Sequence, residues 1–173
     1  MPNMTSEELR KDVFAYYGAA MYYAQCMEQS MMLIIMFLDH YPEALEKTKS
    51  REEWELGIGA YWDSASKKTM GRLIRHLNDL KFPTAELQEK LKTALEKRNF
   101  IAHHYFMERA IEITHDNGCQ SMILELQDIQ MYFQEIEVGF NRVVDELALN
   151  YGLTEEKRSL LTKEMLREHS EAR

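Results

Sequence analysis

Between positions 97 and 106 the chain reads Lys97-Arg98-Asn99-Phe100-Ile101-Ala102-His103-His104-Tyr105-Phe106. A guanidinium, an amide, an imidazole and a phenol therefore come from one short stretch. The planar fork of Arg98 matches a pair of phosphate oxygens. The imidazole of His103 belongs to a side-chain type with an ordinary pKa of about 6.5, able to take or give a proton near neutrality. Together these groups suit phosphodiester cleavage without a metal: a base for a ribose hydroxyl, and a cation for the phosphoryl oxygens as charge builds on them. On a helix, Asn99 and His103 lie one turn apart on a shared face. Arg98 and His103 are about 140° apart around an ideal helix. They converge if the arginine bends back, or if a second copy of the helix completes the site. His104 is a second imidazole beside the first.

These side chains need a frame, and the frame is helical. Phe14, Tyr17, Met21, Ala24, Glu28, Met31, Ile35 and Leu38 follow an alternating 3-4 spacing, which places them on one face of a long helix near 8–39. Pro42 is expected to stop it. A second stripe, Met70, Leu73, Leu77 and Leu80, ends before Pro83. A third helix starts at Thr84 as N-cap, with Leu87, Leu91, Ala94, Arg98, Ile101 and Tyr105 along its stripe. The cleanest stripe is Met122, Leu126, Ile129, Phe133, Ile136, Phe140, Val143 and Leu147, predicting a helix over 119–150 stopped by Gly152. A last helix, about 154–171, has a thin apolar face of Leu160, Leu161 and Met165. Residues 40–65 fit no stripe; they hold Trp54, Trp62, Gly57 and Gly59 and read as an irregular excursion, with Ser50 and Glu53 as a capping box for one short helix. The expectation is an all-α chain: a single domain over 1–173, built as an antiparallel bundle of four to five helices.

Two stripe positions are charged, Glu28 and Arg98. Three readings fit them: a structural ion pair, a subunit interface, or a cleft that needs charge.

The pattern Arg98-Asn99-x-x-x-His103 resembles the Arg-x(4–6)-His signature of the HEPN superfamily, whose members often carry a polar residue after the arginine. Extended to Tyr105, it is similar to the Arg-x4-His-x-Tyr form of HEPN toxins paired with a nucleotidyltransferase antitoxin. The resemblance implies an all-α bundle with the motif late in a central helix. It further implies a homodimer with both motifs at a shared cleft, and metal-independent RNA cleavage in active members. Arg98 and His103 would be catalytic, Asn99 and His104 would support them, and Tyr105 would be the residue a partner nucleotidyltransferase modifies. Glu28 would match an acidic residue of an earlier helix. No cofactor is implied. Other members lack activity and serve as nucleotide-binding or protein-interaction modules, so that alternative stands beside the nuclease.

Charge and composition narrow the remaining classes. The 173 residues carry 21 Lys and Arg against 29 Asp and Glu, a net charge of -8, which excludes a uniformly basic nucleic-acid coat. Residues 67–98 nevertheless hold nine basic and four acidic side chains, making this the one positive segment, and it leads into Arg98. A phosphate-bearing ligand would be steered there. Seven Gly and three Pro leave little room for sandwiches or Gly-rich phosphate loops. Cys26 and Cys119 are too few for a disulfide framework or a thiolate zinc site. The opening MPNMTSEELRKD shows no secretory pattern, and the longest apolar run, Met31 to Leu38, is too short to span a bilayer. A soluble, reduced, cytoplasmic protein with no membrane partner is expected. Glu112-x-x-His115 has the spacing of a di-iron half-site but occurs once, and Asp116-Asn117-Gly118 after it reads as a turn. His40, His76 and His169 read as surface residues, and Met31, Met32 and Met36 as core.

Overall fold

Thr5 opens the first helix. Its hydroxyl accepts from the Glu8 amide, and the Glu8 carboxylate accepts from the Thr5 amide at 2.8 Å, a complete capping box. These bonds hold the exposed Glu8 carboxyl below its ordinary range. The computed structural model describes residues 5–171; the ends of the expected 1–173 domain lie outside them. Its helices are α1 (Ser6–Ile35), α2 (Tyr41–Lys47), α3 (Arg51–Ala65), α4 (Met70–Asp79), α5 (Ala85–His103), α6 (Tyr105–Glu108), α7 (Asp116–Asn150) and α8 (Glu155–Glu171). There is no strand among the described residues, and none of these helices is long and apolar enough to cross a membrane.

The expected stripes form the core. Met122, Leu126, Ile129, Phe133, Ile136 and Phe140 of α7 are all buried, as are Met70, Leu73 and Leu77 of α4 and Leu91, Ala94 and Ile101 of α5. On α1 the buried line is rotated from the expected one: Leu9, Val13, Ala20, Ala24, Met27 and Met31 are inside, while Phe14 is 55% exposed. Thr84 caps α5 by accepting from the Leu87 amide, and Gly152, at φ +73°, ends α7. The methionines Met31, Met32 and Met36 are buried as core residues.

Helix directions depart from the antiparallel expectation. Ser30 Oγ donates to Asn141 Oδ1 at 3.0 Å, and Tyr151 donates to the Phe37 carbonyl at 3.1 Å. Residue numbers rise together along both helices, so α1 and α7 run parallel. α5 runs against both, since Arg98 meets Glu28 while Lys90 meets Glu135 and Phe100 meets Tyr105 beside the start of α7. A parallel pair requires a long crossover, and the residues between α1 and α7, containing α2 to α6, supply it.

The 40–65 stretch is helical rather than irregular. Pro42 does not stop the chain. Met36–His40 form a π-helical turn, and Pro42 sits in the first turn of α2, where its missing N–H is not needed. Ser50 caps α3 as expected, while the Glu53 carboxylate reaches the Lys49 amide instead of that of Ser50. Along α3, Trp54, Ile58, Tyr61 and Ala65 do recur at helical spacing. Tyr41 stacks edge-on with Trp54 at 4.7 Å, and Tyr61 donates to the Met32 carbonyl at 2.6 Å.

Asp116-Asn117-Gly118 is the first turn of α7 rather than a separate turn before it, and His115 is its N-cap, its Nδ1 accepting from the Gly118 amide at 2.9 Å. Gly118 is buried under the 3₁₀ turn Glu112–Thr114; a Cβ there would stand 2.1 Å from the Glu112 carbonyl oxygen. Alanine improves intrinsic helix propensity by at most about 1 kcal/mol. The obstacle is backbone, which cannot swing aside, so overpacking of about 1–3 kcal/mol wins. Gly118→Ala is expected to lower the urea midpoint without changing the slope of the unfolding curve.

Candidate active site around Arg98 and His103

α5 carries the motif in its last two turns. Leu91, Ala94 and Ile101 anchor its inner face, which fixes where every other side chain on it must point. Arg98 lies between Ala94 and Ile101 and would be a charge in the core without a partner. Glu28 of α1 is that partner: Arg98 Nε donates to Glu28 Oε1 at 3.1 Å, with the two side chains 27% and 20% exposed. Both stripe anomalies are thus one interhelical pair at the edge of the core.

Asn99 and His103 are exposed and share the outer face of α5, one turn apart. His103 makes no side-chain hydrogen bond or ion pair among the described residues, and its ring lies 6.3 Å from that of His104. Within one chain Arg98 and His103 therefore serve different faces, the first held against α1 and the second open to solvent. His104 ends the helix. Its backbone leaves the helical region at φ -127°, and its amide donates to the Phe100 carbonyl.

Because α5 stops there, Tyr105 belongs to the next element instead of continuing the stripe. It is 1% exposed, and its hydroxyl donates to the Met122 carbonyl at 3.2 Å. Burial, and then the nearby Glu125 carboxylate, push the phenol well above its ordinary pKa. The hydroxyl that the resemblance assigns to a nucleotidyltransferase is turned into the bundle.

Sequence reasoning passed over Arg109. Its guanidinium forms a bidentate pair with Glu125, at 3.0 and 2.7 Å, and lies over the rings of Phe100 and Tyr105 at 5.5 and 6.0 Å. Its position four residues after Tyr105, on one helical face, was the available signal. This pair clamps α6 onto α7. An open groove of about 540 Å³ runs beside it, bearing Glu96, Glu125 and Asp128 against the single amine of Lys97. His76, expected at the surface, is half-buried on Asp39 at 2.9 Å, and the His40 ring stacks on Tyr61 at 5.0 Å.

Comparison with protein-family models, with curated proteins and with solved structures yields no match. The functional reading stands on the geometry of this chain.

That geometry makes the Arg98–Glu28 pair testable. A fully buried pair broken on one side costs about 3–5 kcal/mol, whereas an exposed one is worth about 0–1. A pair exposed by a fifth to a quarter falls between, at about 1–2 kcal/mol. Glu28→Ala is expected to destabilise by that amount. A double-mutant cycle with Arg98→Ala should return a coupling of at least about 0.5 kcal/mol in urea denaturation.

Proposed function

We propose that the chain is a HEPN-like, metal-independent endoribonuclease of the toxin type that works as a homodimer. The observation that carries this reading is a half-buried arginine, held by Glu28, one position ahead of an exposed Asn99/His103 face at the end of a central helix. Arg98 and His103 of one chain do not meet, so the reading requires two copies of α5 facing each other.

In the reaction, His103 takes the proton of a ribose 2′-hydroxyl, and the 2′-oxygen attacks the adjacent phosphorus. Arg98 holds the phosphoryl oxygens as negative charge accumulates in the five-coordinate state. The bond to the 5′-oxygen breaks, and His103 of the second copy supplies its proton. The products are a 2′,3′-cyclic phosphate and a 5′-hydroxyl.

Ile123, Tyr132 and Val144, apolar residues of α7 beside its main stripe, are partly buried within the chain. Exposed apolar side chains occur elsewhere: Leu124, Met131 and Val138 at seven-residue intervals on α7, and Phe14, Met107 and Ile111 near the end of the bundle that holds the motif. Such uncovered surface favours self-association.

One observation supports a second reading, a non-catalytic interaction or nucleotide-binding module. Arg98 is satisfied by Glu28 inside its own chain, as a purely structural arginine would be. Incubation of the purified protein with mixed RNA in EDTA, with end-group analysis of the products, separates the two. Fragments ending in a cyclic phosphate are expected from a nuclease, and intact RNA from a binding module. Light scattering at micromolar concentration should return the dimer mass; a monomer would remove the shared cleft.

A further inference from the structure

Several cations of this acidic chain are held by a carboxylate between elements: Lys90 by Glu135, Arg98 by Glu28, Arg109 by Glu125 and Arg158 by Asp145. Four others lie close together in the chain. Lys67 and Lys68 in the turn before α4, and Arg72 and Arg75 in its first two turns, have no carboxylate within ion-pair distance among the described residues. Lys67, Lys68 and Arg72 line one open groove of about 520 Å³ together with Ala60, Asp63 and Ser64 of α3. Three cations against one acid, in a chain where acids outnumber bases, form a local positive field that its own side chains leave unneutralised.

The position of this groove follows from helix direction. α4 crosses α5 closely at Gly71, where an added Cβ would meet Leu95 Cδ2 at 3.5 Å. α4 and α5 form an antiparallel hairpin joined at Phe82–Thr84. Moving along α5 from Leu95 to Asn99 and His103 therefore moves back along the chain towards Lys68 and Lys67. The cations therefore lie at the end of α4 that is nearer the Asn99/His103 turn of α5.

We infer that the α3–α4 groove binds the sugar-phosphate backbone of single-stranded RNA and leads it to the Asn99/His103 face. The choice of RNA rests on the nuclease reading; the groove's affinity for a phosphate polymer does not. Lysines act there as point charges on successive phosphates, Arg72 as a bidentate fork, and the Ser64 hydroxyl as a neutral donor.

The test is fluorescence anisotropy of a labelled single-stranded RNA in a salt series, on a His103→Ala background so that the probe stays intact. Combined Lys67→Gln, Lys68→Gln and Arg72→Gln is expected to weaken binding at least about 10-fold. The slope of log K against log salt should fall by about 2, as three lost phosphate contacts require at roughly 0.7 each. The charge-preserving set Lys67→Arg, Lys68→Arg and Arg72→Lys should retain most of the affinity, which guards against a folding defect. Remote neutralisation of Arg10, Lys49 and Lys163 should leave the slope within about 0.5 of the parent.

An unchanged slope in the groove variant overturns the inference. So does equal weakening by the remote set, which would mean diffuse attraction, or a parent protein that binds no RNA. If the parent binds through the groove but wild type cleaves nothing, the nuclease reading falls and the groove stands.

Discussion

His103→Ala is expected to lower RNA cleavage by about 10²–10⁴-fold, the usual contribution of a positioned general acid or base, while the protein stays folded. The side chain is exposed and makes no polar contact among the described residues, so its removal changes stability by no more than about 0.5 kcal/mol. Arg98→Ala should lose a comparable factor in rate for a different reason, the loss of charge stabilisation on the phosphoryl oxygens. It should also destabilise the protein, because Glu28 is left part-buried without its cation. His104→Ala should matter less: its ring points about 100° away from that of His103 on an ideal helix, and its capping role is carried by the backbone. Initial rates on mixed RNA in EDTA at neutral pH decide the matter. If wild type and His103→Ala leave the RNA equally intact, the nuclease reading fails and the binding module becomes the better account.

Tyr105→Ala is expected to cost about 3–5 kcal/mol, as for other large aromatic side chains removed from a core. Against a total stability of about 5–15 kcal/mol this is a large fraction. Tyr105 fills the junction of α1, α5 and α7: it packs on Tyr17 at 6.1 Å, Phe100 at 5.6 Å and Phe106 at 5.5 Å, and hydrogen-bonds the Met122 carbonyl. Tyr105→Phe keeps the packing and loses only the hydrogen bond, about 0.5–1.5 kcal/mol.

The same phenol gives the fold an alkaline limit. Tyr105 is raised by burial, and burial also pushes Tyr61 from 10.0 up to about 12. In the unfolded chain both ionise near 10. Their contribution to stability is therefore complete below that pH and is lost as pH rises through the folded-state values. Urea midpoints measured in increasingly alkaline buffer should fall, and Tyr105→Phe should flatten that fall. If Tyr105→Phe titrates as steeply as wild type, Tyr105 is not a source of the limit.

The sequence by itself determined the helical class, the six buried core positions from Met122 to Phe140, the Thr84 cap and the Gly152 stop. It also marked Glu28 and Arg98 as charged positions in apolar stripes, with an ion pair as one of three readings. Each of these depends on local chemistry or on a 3.6-residue period, which the chain carries wherever it folds. α3 was equally legible in Trp54, Ile58, Tyr61 and Ala65, but Gly57 and Gly59 masked a stripe that tertiary packing tolerates. Only the tertiary structure decided that α1 and α7 run parallel, because helix direction depends on how a long crossover is routed and not on any one segment's pattern. It likewise decided that α5 stops at His103 and turns Tyr105 inward. The Tyr105 spacing alone would have continued the helix; the chain instead breaks at His104, and the ring packs on Tyr17 and Phe100 with its hydroxyl on the Met122 carbonyl. The separation of Arg98 from His103 was computable from helical geometry. That Glu28, 70 residues away, accepts the arginine's hydrogen bond was a matter of which helices meet.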